Sequence, residues 1–334
     1  MKKLGTIVGL MGLVGLMGLV LCMSTSAESA EFTYRYAGNL PVQHHVTYAQ
    51  QRLAKYIEEK TGGRMKVSVY PAGQLFQDKD MMQAVPKGAI DMASVTLAQW
   101  SGLVPGTAFI DLPFYYKDRR HMWRVCDGKP GEIVKKELEK VGVKFLHWMD
   151  YGVNEFASKM PLRTLEDFKG KRIRGLTEYT TESIKALGAS PTFLGGGEVY
   201  MALQRGTIDG GISGTSSFWE RKYYEVTKYA TIVEQSFSIH ASVMNLKKWN
   251  ELPPDIQKIV TAGSLEVQEW VRKEAEKMDV SCIDLIKGKG MEIIYPAKEE
   301  RERWKKVNEP VINMFRTRAG EIGQRILDES EKLR

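Results

Sequence analysis

Residues 32–73 open with Phe32-Thr33-Tyr34-Arg35-Tyr36, pass through Val46, Ala49, Leu53, Tyr56 and Ile57, and close on Val67-Ser68-Val69-Tyr70-Pro71-Ala72-Gly73. The first run alternates apolar and polar residues with a period of two, which predicts a half-buried strand. The second places its apolar residues on one face of a helix that Gly62-Gly63 terminates. The third is again a strand, and a short helix over 80–85 and an apolar strand over 90–95 follow. Strand, helix and strand in succession are the signature of a parallel sheet covered by helices.

Working outward, the alternation recurs. Residues 119–141 read as helical with a break at Gly128-Lys129-Pro130, 143–149 as a strand, and 171–176 as another strand behind Thr164-Leu165-Glu166-Asp167. Helices are predicted over 180–187 and 198–204, then a strand at Thr207-Ile208-Asp209. Two sheets are implied, one in each of two α/β lobes. After Leu252-Pro253-Pro254 come long amphipathic helices over 255–287 and 297–333, the second bent or divided at Pro310, with a strand at 291–295 between them. No flexible tether joins the lobes, so the chain crosses between them several times and leaves a cleft where strand ends meet, the usual ligand site of open α/β sheets.

The chain has 334 residues, 43% hydrophobic and 27% charged, a composition that excludes collagenous, disordered and polytopic membrane classes. Lys2 and Lys3 precede an apolar run from Leu4 to Met23 that ends in Ser24-Thr25-Ser26-Ala27, the pattern of a secretory signal peptide over 1–27, with cleavage after Ala27 or Ala30. Leu21 stands where a lipoprotein site at Cys22 would want a small residue. Removing residues 1–27, which carry two lysines and no acid, lowers the formal charge from +7 to +5. That excess suits small anions better than nucleic acid. Cys126 and Cys282 then remain, too few for a disulfide framework.

Nothing in the sequence builds a catalytic centre. Among His44, His45, His121, His147 and His240 no two have the spacing of a helical metal pair. Gly195-Gly196-Gly197 lacks the Lys and Ser/Thr of a phosphate loop, and there is no Gly-x-Ser-x-Gly elbow. The chemistry that stands out is Arg174, which shares a strand face with Arg172 while Ile173 takes the other. A guanidinium at a strand end facing a cleft offers two-pronged hydrogen bonds to a carboxylate.

Lys169-Gly170-Lys171-Arg172-Ile173-Arg174, Leu187-Gly188-Ala189-Ser190-Pro191-Thr192, Glu198-Val199-Tyr200-Met201-Ala202-Leu203-Gln204 and Gly206-Thr207-Ile208-Asp209-Gly210 resemble the signature of the DctP-type solute-binding proteins of TRAP transporters. Tyr70-Pro71-Ala72-Gly73-Gln74-Leu75, Lys87-Gly88-Ala89-Ile90-Asp91-Met92, Tyr223-Tyr224-Glu225-Val226 and Leu252-Pro253-Pro254-Asp255 continue the similarity in order along the mature chain. The resemblance implies a periplasmic, monomeric, two-lobed binding protein of the periplasmic-binding-protein fold, with a long C-terminal helical region crossing both lobes. The expected lobes are 28–151 plus about 240–279, and 152–239 plus about 280–334 with the spanning helix. It implies capture of a small organic acid by an Arg174 salt bridge, delivery to small and large integral membrane subunits, and uptake driven by an ion gradient without cofactor or metal.

By the same resemblance Asn39, Thr96, Gln99, Asn154, Thr177 and Ser213 are cleft positions, and Phe218, Trp219 and Trp100 are candidate apolar walls. The sialic-acid-binding branch carries charged or larger residues where Thr96, Gln99, Asn154, Gly196 and Ser213 stand, so sialic acid is disfavoured. A smaller monocarboxylate with an apolar or aromatic portion, or a hydroxy or keto acid, fits the replacements. A C4-dicarboxylate stays open, with Arg172, His44 or Lys222 as partner for its second carboxylate. The alternative to transport is a ligand-sensing binding protein for an organic acid.

Overall fold

The computed structural model describes residues 30–334, so the expected signal peptide over 1–27 and Cys22 lie outside the described residues. In chain order the elements are β1 (Phe32–Gly38), α1 (His45–Lys60), β2 (Met65–Tyr70), α2 (Asp78–Ala84), β3 (Met92–Thr96), α3 (Arg119–Asp127), α4 (Lys129–Lys140), β4 (Val143–Ser158), β5 (Arg172–Gly175), α5 (Glu178–Ala186), β6 (Ser190–Phe193), α6 (Val199–Gln204), β7 (Gly210–Gly214), α7 (Thr215–Glu220), β8 (Tyr229–Asn245), α8 (Leu246–Glu251), α9 (Pro254–Gly288), β9 (Glu292–Ile294) and α10 (Lys298–Glu331).

The expected two sheets are one. Its strands run in the order β2-β1-β3-β8-β4-β7-β5-β6, with β9 beside β8. Strands β1, β2 and β3 are mutually parallel in lobe I, as are β5, β6 and β7 in lobe II. The antiparallel pair β4 and β8 joins the two groups. These strands have 16 and 17 residues, so at ~3.3 Å per residue each spans about 50 Å and belongs to both lobes. The strand expected over 143–149 is therefore only the first half of β4. From His147 onward β4 is buried on both faces, which erases the period-two alternation. Strand β8 escapes sequence reading because Ser236, Ser238, His240 and Ser242 interrupt its apolar pattern, yet all four are buried.

The β4–β8 ladder shifts register between Phe145 and His147, Asp150 and Gly152, and Asn154 and Phe156. Such bulges bend a strand pair. At the middle one Gly152 has φ +128°, and a Cβ there would lie 2.7 Å from Asp279 Oδ1 of α9, so only glycine fits. Helix α9, about 50 Å long at 1.5 Å per residue, packs Val260, Val267 and Val271 into the core of β1, α1 and β2 in lobe I. Its far end puts Ile286 into a lobe II core with Val199, Phe218 and Tyr223.

Helix α10 also joins the lobes. Trp304 meets Phe156 and Phe168 edge-on in lobe II, whereas Phe315, Ile326 and Leu327 belong to the lobe I core with Phe109, Val134 and Leu138. The last third of the stretch expected in lobe II thus returns to lobe I. Pro310 sits inside the helix, and the break is at Gly320 (φ 56°, ψ −140°) instead. That conformation is costly for any residue with a Cβ. Cys126 and Cys282 are both free and buried.

Candidate functional site

Between the lobes lies a cleft of about 990 Å³. From lobe I it is walled by Asn39 in the loop after β1, Asp78 at the start of α2 and Gln99 in the turn after β3; from lobe II by Thr177, Gly196 and Arg221. Local sequence explains the lobe II wall. Thr177 caps α5, its hydroxyl accepting from Thr180 N and donating to Asp111. Gly195 turns the chain after β6, where its N–H donates to Glu198 at 2.8 Å.

Arg174 lies directly behind that wall, 1% exposed. Strand alternation sends Ile173 into the lobe II core and turns Arg174 the other way. Its Nε donates to Leu194 O at 2.9 Å and its Nη1 to Ile212 O at 2.8 Å, while Nη2 is buried without a partner. Burial pulls its pKa down, with Arg221 adding repulsion and Tyr223, Tyr151 and Asp78 opposing, yet a guanidinium stays charged. No carboxylate of the described residues forms an ion pair with it. A buried cation held only by carbonyl dipoles is incompletely compensated, and a small anion is the chemistry that would compensate it. Tyr223 contributes a second buried, unpartnered polar atom, its hydroxyl, and each residue feels the other's charge.

Thr96, Asn154 and Ser213 are not in the wall itself. They belong to a hydrogen-bonded seam across β3, β4, β7 and β8. Thr96 Oγ1 meets His240 Nε2 at 3.1 Å, Asn154 Nδ2 donates to Ser236 Oγ at 3.0 Å, and Ser213 Oγ meets Tyr151 OH at 2.8 Å. Four rings stack along the seam: His45 on His44 at 4.4 Å, His44 on Tyr151 at 5.2 Å, and Tyr151 on His240 at 5.5 Å. The His44 Nδ1 accepts from Val46 N, which leaves the proton on Nε2 to donate to Ser216 Oγ at 3.2 Å. Trp219 does not wall the cleft. Helix α7 turns Phe218 into the core, so the next residue faces away and packs at a tilt against Tyr224, ring centroids 5.4 Å apart, with Lys289 above it. Trp100 is likewise wholly buried in the lobe I core.

The three residues considered for a second carboxylate are otherwise engaged or unsuited. Arg172 is exposed and grips Asp209 through Nε at 3.0 Å and Nη2 at 2.6 Å. Burial holds His44 well below its ordinary pKa, with His45, His240 and Arg221 adding repulsion. Lys222 is exposed, in a left-handed turn after α7. Sequence reasoning missed Arg221, Asp78 and Tyr223. Arg221 fills the space above Gly196, where a Cβ would come within 3.1 Å of its Nη2, and that Nη2 donates across the cleft to Asn39 O at 3.3 Å. The missing side chain at Gly196 is the one sequence signal that another group could occupy its place.

Burial depresses His240 to about 3. A depressed histidine is neutral in the native state at pH values where the unfolded chain protonates it, so stability is lost as pH falls from about 6.5 toward 3. Wild type is therefore expected to lose about 2 kcal/mol relative to His240→Gln between pH 7 and pH 5, read from denaturant melts of both proteins at each pH. A difference independent of pH would show that His240 titrates normally.

The profile of the DctP family, bacterial extracellular solute-binding proteins of family 7, matches residues 36–318. This chain belongs to that family. A C4-dicarboxylate-binding periplasmic protein of Rhodobacter capsulatus is 30% identical over 266 residues, covering 79% of this chain and 80% of its own. The 2,3-diketo-L-gulonate-binding periplasmic protein of Escherichia coli is 29% identical over 273 residues, covering 81% and 82%. The crystal structure of a TRAP periplasmic solute-binding protein from Desulfovibrio salexigens with bound orotic acid is 26% identical, with a TM-score of 0.87 over 90% of this chain and 98% of its own. The two-lobed architecture and the DctP-type TRAP membership expected from the motifs both hold. As a DctP protein the chain is a solute-binding protein and not an enzyme.

Proposed function

We propose that this DctP protein is the periplasmic subunit of a TRAP transporter that captures a small organic acid through an Arg174 carboxylate salt bridge. Delivery is to small and large integral membrane subunits, with uptake driven by an ion gradient. The observation that carries the reading is the buried Arg174 guanidinium with an unpartnered Nη2 and no anionic partner among the described residues. Arg221 at the wall reinforces the positive field. The signal peptide over 1–27 directs export, and the mature protein acts as a monomer without affinity for nucleic acid. The lobes are bounded near 151/152 and 239/240, where the central bulge pairs Asp150 with Ile239 and Gly152 with Ser238. Bending there closes the lobes on the ligand.

Reconstituted membrane subunits in vesicles, with this protein outside, test the role. Accumulation of the acid is expected with an ion gradient and without ATP, and the protein's radius of gyration is expected to fall on saturation in small-angle scattering. Uptake that proceeds equally without the protein, or that needs ATP, refutes transport.

A further inference from the structure

The cleft is chemically lopsided. On lobe II it carries two guanidiniums, Arg221 in the wall and Arg174 behind it, and neither forms an ion pair among the described residues. On lobe I it carries three buried oxygens without partners: Asn39 Oδ1, Asp78 Oδ2 and Gln99 Oε1. All three residues line the same cleft. Asp78 stands in the first turn of α2, which gives its Oδ2 no donor. The other acids in the wall are already used: Glu178 pairs with Arg318 and Glu198 accepts from Gly195 N. Asp78 is close enough for its charge to act on Arg174, yet the two form no ion pair, so space separates them.

A ligand that satisfies both walls needs an anionic end and a donor-bearing end. Resting on the carboxylate reading above, we propose that the cleft selects a polyhydroxylated monocarboxylate, its carboxylate toward Arg174 and Arg221 and its hydroxyls donating to Asp78, Gln99 and Asn39. A carboxylate can only accept hydrogen bonds, so a dicarboxylate lying across the cleft sets its far end against Asp78, a like-charge contact that disfavours the wrong ligand. Asp78 is then the residue that separates hydroxy acids from diacids. Arg221 has a second duty: its bond to Asn39 O ties lobe II to lobe I over the bound carboxylate.

Thermal shift of the mature protein with galacturonate, glucuronate and gluconate, against succinate, fumarate and glutarate at equal concentration, followed by calorimetry of the best binder in each group, tests this. A hydroxylated monocarboxylate is expected to bind at least tenfold tighter than any diacid. Asp78→Asn is expected to narrow that ratio at least tenfold, and Arg221→Gln to weaken the hydroxy acid at least tenfold, with both unliganded variants melting near wild type. A diacid as the tightest binder, no hydroxylated monocarboxylate raising the melting temperature, or an unchanged ratio in Asp78→Asn overturns the proposal. Arg174→Ala separates the two readings: binding that survives it removes the carboxylate reading itself, whereas loss of binding with diacids preferred leaves that reading standing and removes only the selectivity.

Discussion

Arg174→Ala is expected to weaken the ligand by about 2–5 kcal/mol, the usual consequence of depriving a desolvated anion of its charge partner. The unliganded protein is expected to lose little. Its wild-type arginine is a buried cation without an anion, so the substitution frees Leu194 O and Ile212 O but also removes a charge held at a desolvation cost. Arg174→Lys restores the charge without the planar fork, and the carbonyls that hold Nε and Nη1 cannot both be reached by one ammonium. Partial recovery is expected from it. Calorimetry with the tightest acid from the ligand screen reads all three proteins. An Arg174→Ala protein that folds and binds within threefold of wild type would remove Arg174 from the site.

The two outcomes, large for binding and small for folding, follow from what Arg174 lacks. Two other arginines of low exposure are neutralised: Arg272 is held by both oxygens of Asp127 at 2.7 Å, and Arg119 bridges two carboxylates. Arg174 has no such partner among the described residues, and in the proposed reading the ligand carboxylate supplies it. The lowered pKa that burial imposes is the electrostatic expression of that missing partner.

Sequence and structure agree where burial is one-sided. Strand β1 shows its period because one flank of each residue pair is polar, and α1 shows its face because Val46, Ala49, Leu53 and Ile57 are buried against the sheet. They part where both faces are covered. The second half of β4 and β8 from Gln235 onward carry serines, histidines and Asn154 into the interior, where hydrogen bonds such as Asn154 to Ser236 and Thr96 to His240 replace water, so hydropathy reads them as loop. That is also why one sheet looks like two. For the proposed site, Arg174 was singled out by the resemblance of Lys169-Gly170-Lys171-Arg172-Ile173-Arg174 to the family signature, since its alternation with Ile173 in a short strand would by itself suit a solvated surface charge. Arg221 was not, since its placement depends on the turn after α7 and on the missing side chain at Gly196, which lie 25 positions apart in sequence. Asp78 reads as an ordinary first-turn acid until its unpartnered oxygen is found in the cleft.

Arg119→Met is expected to destabilise the protein by about 3–5 kcal/mol, because it leaves two buried carboxylates uncompensated. Arg119 reaches from α3 to Asp150 of β4 at 2.8 Å and to Asp279 of α9. Burial disfavours its charge, but the two carboxylates outweigh this and hold it above its ordinary value. Asp279 is pushed up to about 6 by burial despite Arg119, so without the arginine it protonates more readily still. The same aspartate closes over Gly152 and accepts from Val153 N at 3.3 Å and Thr215 Oγ1 at 3.1 Å. Trp123 Nε1 donates to Asp150 at 2.6 Å. The cluster thus fixes the spanning helix to the central strand at its bulge, the place proposed above for the hinge. Adding Asp279→Asn to Arg119→Met removes one of the two orphaned charges and is expected to recover part of the loss, whereas Asp279→Asn alone destabilises. Denaturant melts of the four proteins at pH 8, above the raised Asp279 value, measure the coupling, and strictly additive effects would show that Arg119 and Asp279 do not act as one unit.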